Sequence, residues 1–195
     1  MSQKVFKEEH YNSGDGMLTT VWGPGMWHSL HCISFNYPIK PTPKQKRQYM
    51  NFIINLKNVL PCGKCRKNLV KNFKKLPLTI KDMESRATFS LYIYKLHELI
   101  NKMLGKNSGL SYEDVRERYE NFRSRCTKTY KEMVLLKRKN KTMKKKNAKN
   151  TKENEEKGCT EPLYGDKSKC ILKIVPQETP CETFQMDKSC IKRTL

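Results

Sequence analysis

Apolar side chains recur at helical spacing along the first 125 residues of the chain. Between about Gly25 and Tyr37, Met26, Trp27, Leu30, Ile33 and Tyr37 share a face with Ser34. Pro38, Pro41 and Pro43 interrupt that pattern, and Thr42 followed by Pro43 has the form of a helix cap with proline at the favoured first position. The second helix then runs to about Leu60, with Tyr49, Phe52, Ile53, Leu56, Val59 and Leu60 on its stripe, and Pro61 breaks it. A third helix opens at Cys62-Gly63-Lys64-Cys65, carries Leu69, Val70 and Phe73, and ends at Pro77. From about Ser85 to Met103 a fourth helix turns Phe89, Tyr92, Ile93, Leu96, Ile100 and Leu104 inward and stops at Gly105. Ser111 with Asp114 caps a short fifth helix carrying Val115, Tyr119 and Phe122. No segment before residue 130 reads as a strand. The expected fold is all-α, a four-helix bundle with a short fifth helix.

Charge changes the picture for the remainder. The 195 residues carry 40 Lys+Arg against 19 Asp+Glu, a net charge of +21, and only 36% apolar residues. Much of the excess is local: Lys131 to Lys152 holds ten basic residues and one acid, Glu132. Such a run buries too little surface to offset its ordering entropy, so it reads as a solvated linker or a frayed helix end. The expected organisation is an irregular leader over 1–13, a helical domain over 14–125, a basic linker or helix extension over 126–157, and a cysteine-containing tail over 158–195. The tail holds Cys159, Cys170, Cys181 and Cys190, too widely spaced for a zinc knuckle. A nucleic-acid partner held by counterion release is a secondary reading of the basic run, disfavoured by its lack of interleaved aromatics. The chain has no run of eighteen apolar residues and no apolar signal-peptide core near Met1. It is expected in the cytosol, or packaged from it, where eight cysteines favour redox chemistry over a stapled scaffold.

The candidate chemistry starts at Pro61-Cys62-Gly63-Lys64-Cys65. A structural zinc needs about four ligands, and the next cysteine downstream is Cys126. A lone CxxC at a helix start is a redox dithiol, half of a metal site, or coincidence. The redox reading has a physical basis: the helix N-terminus, with Lys64 and Arg66 nearby, favours the thiolate. No metal site is expected. Elsewhere Trp27 and His31 lie four residues apart on one helical face, as do His97 and Asn101, with Lys106 just past a helix end. Two rings, an amide and a lysine suit a flat heteroaromatic ligand with a phosphate tail. By spacing alone, Trp27 and His97 serve as well as core residues, and His31 as a satisfied buried histidine.

The order of motifs is more specific than any one of them. Trp22-Gly23-Pro24-Gly25, Trp27 and Leu30-His31 come first, then Tyr37-Pro38, Pro41-Thr42-Pro43, Pro61-Cys62 with Cys65, and His97 with Asn101 and Leu104-Gly105-Lys106. This order resembles the Erv/ALR family of FAD-linked sulfhydryl oxidases, most closely the short forms encoded by large cytoplasmic DNA viruses. The resemblance covers about residues 14–125. It implies a four-helix bundle holding FAD, usually as a homodimer, that oxidises dithiol-containing protein substrates and passes the electrons to O2, making H2O2. It implies that Cys62 exchanges with substrate and that Cys65 lies against the isoalloxazine. Trp27, His31 and Tyr37 match positions lining the cofactor, and His97, Asn101 and Lys106 match the segment around the adenine and pyrophosphate.

Three departures stand out. Glu98 replaces a common asparagine. Pro24 replaces a basic residue of cellular members. Tyr94 and Ser111 stand where cellular members have a structural disulfide, so packing must join the fourth and fifth helices. Two rivals remain. A thioredoxin-type oxidoreductase needs strands around its CxxC, and none are expected. A basic adaptor that packages nucleic acid would bind no flavin. The resemblance also implies, if the source is viral, a place in host cytoplasm or virion. The pairing of Cys126 and the tail cysteines is open, and the usual shuttle pair of the family is more closely spaced than theirs.

Overall fold

A computed structural model gives the fold and describes residues 7–124, 159, 162–163, 168–176 and 178–180. The helices are α1 (Glu8–Tyr11), α2 (Thr19–Phe35), α3 (Pro43–Val59), α4 (Gly63–Lys75), α5 (Arg86–Met103) and α6 (Tyr112–Glu120), with a 3-10 turn at Ile80–Met83. Among the described residues there is no strand beyond an isolated bridge, Ser124 with Pro162. None of the described helices is long and apolar enough to cross a membrane. The chain divides into two compact units, Met1–Arg116 and Glu117–Leu195. The sequence-based linker over 126–157 lies outside the described residues.

Local chemistry sets the helix starts. Thr42 and Gln45 cap α3 reciprocally: Gln45 N–H donates to Thr42 Oγ1 at 3.2 Å and Thr42 N–H to Gln45 Oε1 at 2.9 Å. Ser85 and Thr88 do the same for α5, and Ser111 and Asp114 for α6. Each such cap is worth about 1 kcal/mol. Gly105 ends α5 at φ +69°, a conformation that costs glycine little.

The core of the first unit is one cluster. Leu30 and Tyr37 come from α2 and its end, Ile53 and Leu56 from α3, Leu69 from α4, Met83 from the 3-10 turn, and Phe89, Tyr92, Ile93 and Leu96 from α5. Four positions expected inside are not. Phe52, Val59, Val70 and Leu104 are 43%, 69%, 40% and 53% exposed. Phe52 and Val70 each sit one residue off a buried neighbour, about 100° around the helix. Val59 is the last residue of α3, and Leu104 follows the last residue of α5.

α2 begins at Thr19, six residues ahead of the apolar pattern, and includes Pro24. The pattern is blind there because Thr19-Thr20-Val21 and Gly23-Pro24-Gly25 are weak helix formers. Tertiary contacts supply the anchor: Trp22 Nε1 donates to the Met17 carbonyl at 3.1 Å, and Met17 N–H donates to the Pro61 carbonyl at 2.8 Å.

At Tyr94, where packing was expected to join the fourth and fifth helices, the chain has a phenol clasp. Tyr94 Oη donates to the Leu110 carbonyl at 2.8 Å, and the Tyr94 and Tyr112 rings meet edge-on at 5.8 Å. Tyr112 Oη and Ser90 Oγ are hydrogen-bonded at 2.8 Å. Removing either hydroxyl, in Tyr94→Phe or Tyr112→Phe, should cost about 1 kcal/mol. Thermal melts of the two variants and their double check this, and unchanged melting temperatures would make the clasp incidental.

In the second unit, Leu163 N–H donates to the Arg123 carbonyl at 2.7 Å, and Arg123 pairs with Glu120. Cys159 is disulfide-bonded, and Cys170 is an exposed free thiol. Cys126, Cys181 and Cys190 lie outside the described residues.

Candidate active site

Pro61 ends one helix and lets Cys62 begin the next. Cys62 is extended, at φ −150° and ψ 117°, and is the N-cap of α4. Its sulfur accepts the Cys65 backbone N–H at 3.2 Å. Both thiols are free, so the dithiol form is on view. Their acidities diverge. Cys62 is held below the usual thiol range by the hydrogen bond from the Cys65 side chain, by the Cys65 N–H, and by the Thr19 hydroxyl. Cys65 is pushed up by burial and then by its hydrogen bond with Cys62. The backbone N–H groups of the helix start lower both sulfurs, but burial outweighs them at Cys65 and not at Cys62. Arg66 is not aimed at the sulfurs: its Nη1 donates to the Leu60 carbonyl at 2.5 Å and ties α4 to the end of α3.

A short strap covers this corner. A Cβ at Gly16 would lie 2.7 Å from the Pro61 carbonyl oxygen, so only glycine fits. The strap leads into Thr19, whose Oγ1 lies 3.6 Å from Cys65 Sγ. Thr19 escaped the sequence reading because it is distant in sequence from the CxxC and has no motif of its own. Thr19→Val removes a group that lowers both thiol pKa values at nearly constant volume. The alkylation rate of the reduced dithiol should then rise with pH along a curve displaced to higher pH. An unmoved curve would deny Thr19 any role at the sulfurs.

The second cluster lies where α2 packs along α5. The rings of Trp27 and His97 stack at 3.9 Å and 9°, leaving no gap for a third ring between them. A flat ligand must therefore lie outside the pair. His31, 3% exposed, hydrogen-bonds through Nε2 to Nδ1 of His97 at 3.1 Å. Burial, and then the neighbouring His97 and His28, lower the His31 pKa to about 3. Burial lowers that of His97 to about 4 against the opposing pull of Glu98. Both are neutral imidazoles at neutral pH. Asn101 lies one turn on, its Nδ2 donating to Glu98 Oε1 at 3.0 Å and its carbonyl accepting Lys106 N–H at 2.9 Å. Next to it opens a cleft of about 580 Å³ lined by Lys75, Lys95, Glu98, Lys102, Lys106 and Asn107 among others.

Five of the candidate ligand-site residues thus fall along α5 and the facing part of α2: Trp27, His31, His97, Asn101 and Lys106. Tyr37 does not join them. It is fully buried in the core, its hydroxyl donating to the Met83 carbonyl at 2.9 Å, with Tyr49 edge-on at 4.8 Å and Phe89 at 4.9 Å. Lys75, Lys95 and Lys102 are cleft residues that the motif-based reading did not single out. Among the described residues no cluster suits a metal ion.

Residues 24–123, just over half of the chain, match the Erv1/Alr family. The chain belongs to the Erv1/Alr family. A protein of Acanthamoeba polyphaga mimivirus named as a probable FAD-linked sulfhydryl oxidase is 35% identical over 104 residues, 53% of this chain and 72% of that protein. An FAD-linked sulfhydryl oxidase of African swine fever virus is 30% identical over 99 residues, 51% of this chain and 80% of that protein. The mitochondrial FAD-linked sulfhydryl oxidase of Saccharomyces cerevisiae is 29% identical over 84 residues, 43% of each chain. The crystal structure of the yeast Erv1 core covers 60% of this chain and 92% of that one, at 22% identity and a TM-score of 0.48. The matched segment contains the CxxC, the stacked rings and the clasp, and ends before the basic run.

Proposed function

We propose that this protein is an FAD-dependent thiol oxidase that makes disulfides in protein substrates, with Cys62 and Cys65 as its redox pair. One observation carries the reading: α2 connects the two halves of the site. Thr19 at its first turn touches the redox sulfur, and Trp27 and His31 lie about 12 and 18 Å further along the axis. That is a span on the scale of an extended dinucleotide.

The donor set fits such a cofactor. Flat rings at Trp27, His31 and His97 offer stacking and uncharged hydrogen bonding, and Lys102 and Lys106 offer cations for its phosphates. Asn101 shapes the turn that presents Lys106. Tyr37 supports the site from behind as a core residue. When bound, FAD supplies the two-electron acceptor that reoxidises the dithiol and delivers the pair to O2.

The chain's own part is thiol–disulfide exchange. A substrate thiolate attacks Cys62 of the Cys62–Cys65 disulfide, forming a mixed disulfide and releasing Cys65. The second substrate thiol then attacks the substrate's own sulfur and expels Cys62. A sulfur of low pKa is the better leaving group in that second step, which is the role the N-cap geometry gives Cys62. The substrate loses two electrons and two protons, the disulfide gains both, and O2 finally takes them as H2O2. We further infer a homodimer and a place in host cytoplasm or virion. The viral relatives support the latter, and the exposed apolar Phe52 and Val59 of α3 offer surface for the former.

The test is an absorbance spectrum of the purified protein together with oxygen uptake in the presence of dithiothreitol. Visible flavin bands and dithiol-dependent uptake are expected. A colourless protein, inactive with added FAD, would falsify the reading.

A further inference from the structure

Basic residues flank the redox motif along the sequence, and the acid that comes nearest to it there, Asp15, adjoins the strap at Gly16. From Gly16 to Lys81 there is no aspartate or glutamate, and there are twelve lysines and arginines. Five belong to one face of α4: Lys64, Lys67, Lys71, Lys74 and Lys75 are all exposed. Their spacing places them within an arc of about 100°, opposite the buried side of Leu69 and Asn72. The stripe starts inside the CxxC and continues to the end of the helix. None of the ion pairs Lys7–Glu9, His10–Glu9, Arg116–Glu113 and Arg123–Glu120 engages it.

Folding does not ask for this arrangement. A cation in the first turn of a helix opposes the macrodipole. Like charges three and four residues apart repel, as at Lys64–Lys67, Lys67–Lys71 and Lys71–Lys75. The same chain obeys both rules in α6, with Glu113 and Asp114 in the first turn and Arg118 in the last. Lys74 and Lys75 suit the C-terminal end of α4, but Lys64 at its start and the repulsion along Lys64, Lys67 and Lys71 weaken the helix beside the one place where a substrate must dock.

We infer that the α4 stripe docks an acidic segment flanking the cysteines of a protein substrate, an inference that rests on the thiol-oxidase reading. α4 is 13 residues long, about 20 Å. An extended peptide of about six residues covers that length. With its reactive cysteine at Cys62, its flanking residues lie over Lys67, Lys71 and Lys74. The partner is a protein rather than a nucleic acid: the exposed face of α4 carries no aromatic ring for bases to stack on. Rim charges of this kind act on encounter and on KM, and are screened by salt.

The test uses the full-length flavoprotein and three dithiol peptides, alike except for flanking runs of glutamate, glutamine or lysine. At about 0.01 M ionic strength the glutamate peptide should show a KM roughly tenfold or more below that of the lysine peptide. At about 1 M, where the Debye length is about 3 Å, the difference should vanish. Lys67→Glu/Lys71→Glu/Lys74→Glu should invert the order, and the matching glutamine variant should erase it, with dithiothreitol turnover unchanged in both. Equal KM values with dithiothreitol turnover intact would overturn the docking inference and leave the oxidase standing. Absent dithiothreitol turnover would instead strike at the oxidase reading. In that case the affinities of serine-for-cysteine peptides, read by fluorescence anisotropy, still decide the stripe. A single-stranded oligonucleotide bound more tightly than the glutamate peptide would assign it to nucleic acid and sink the proposal.

Discussion

Cys62→Ser and Cys65→Ser should each cut dithiol-dependent oxygen uptake by roughly three orders of magnitude or more, the scale on which removing an enzyme nucleophile acts. Both variants should stay yellow, because neither sulfur belongs to the Trp27–His31–His97 cluster. They should differ in the reactivity of the sulfur left behind. In Cys65→Ser, Cys62 keeps its N-cap position and gains a hydroxyl donor, so a chromogenic aryl disulfide should label it rapidly at neutral pH. In Cys62→Ser, Cys65 remains pushed up by burial and should label slowly. Equal labelling rates would contradict the asymmetry, and sustained turnover in either variant would remove that cysteine from the reaction.

Acid should destabilise the first unit well before its carboxylates titrate. His31 and His97 are buried neutral, with pKa values lowered from 6.5 to about 3 and about 4. Below pH 6.5 the unfolded chain takes up protons that the native state refuses, so stability is full above that pH and falls as pH drops toward those values. His31 alone contributes a slope that grows to about 1.4 kcal/mol per pH unit, or roughly 2 kcal/mol between pH 6.5 and 4.5. His97, less enclosed and touching His31, titrates with it as a pair and adds less than an independent site would. Denaturant unfolding across this range should show the loss, and His31→Gln should flatten it. A wild-type profile level from pH 7 to pH 4.5 would mean that the pair is solvated.

The bundle was legible because its signals are local. Prolines at 38, 43, 61 and 77, together with Thr42, Ser85 and Ser111, mark helix limits whatever the tertiary context, and the stripes on α3 and α5 hold most of the core. The start of α2 was not legible, since contacts between Met17 and Pro61 override the poor propensity of Thr19 to Gly25. The same contacts explain why Thr19 was missed at the sulfurs. Among the candidate ligand-site residues, the i,i+4 pairs on α2 and α5 were legible as neighbours because facing helices bring such pairs together. Tyr37 was legible only as an aromatic near a helix end, and such a residue serves a core or a ligand equally well. The 3-10 turn that receives its hydroxyl has no apolar period to read. The acid-free run was in plain view from the start, but its meaning depends on which α4 lysines share a face and on what lies at the end of that face.

The clasp of Tyr94, Tyr112 and Ser90 bears on how such an enzyme comes into being. Cys32, Cys62 and Cys65 of the first unit are thiols rather than halves of a disulfide, and the junction that a covalent bridge would close is held by phenols and a hydroxyl. The unit can reach its fold before any oxidant has acted on it. A maker of disulfides that needed one for its own architecture would wait on an earlier copy of itself. This one can be first.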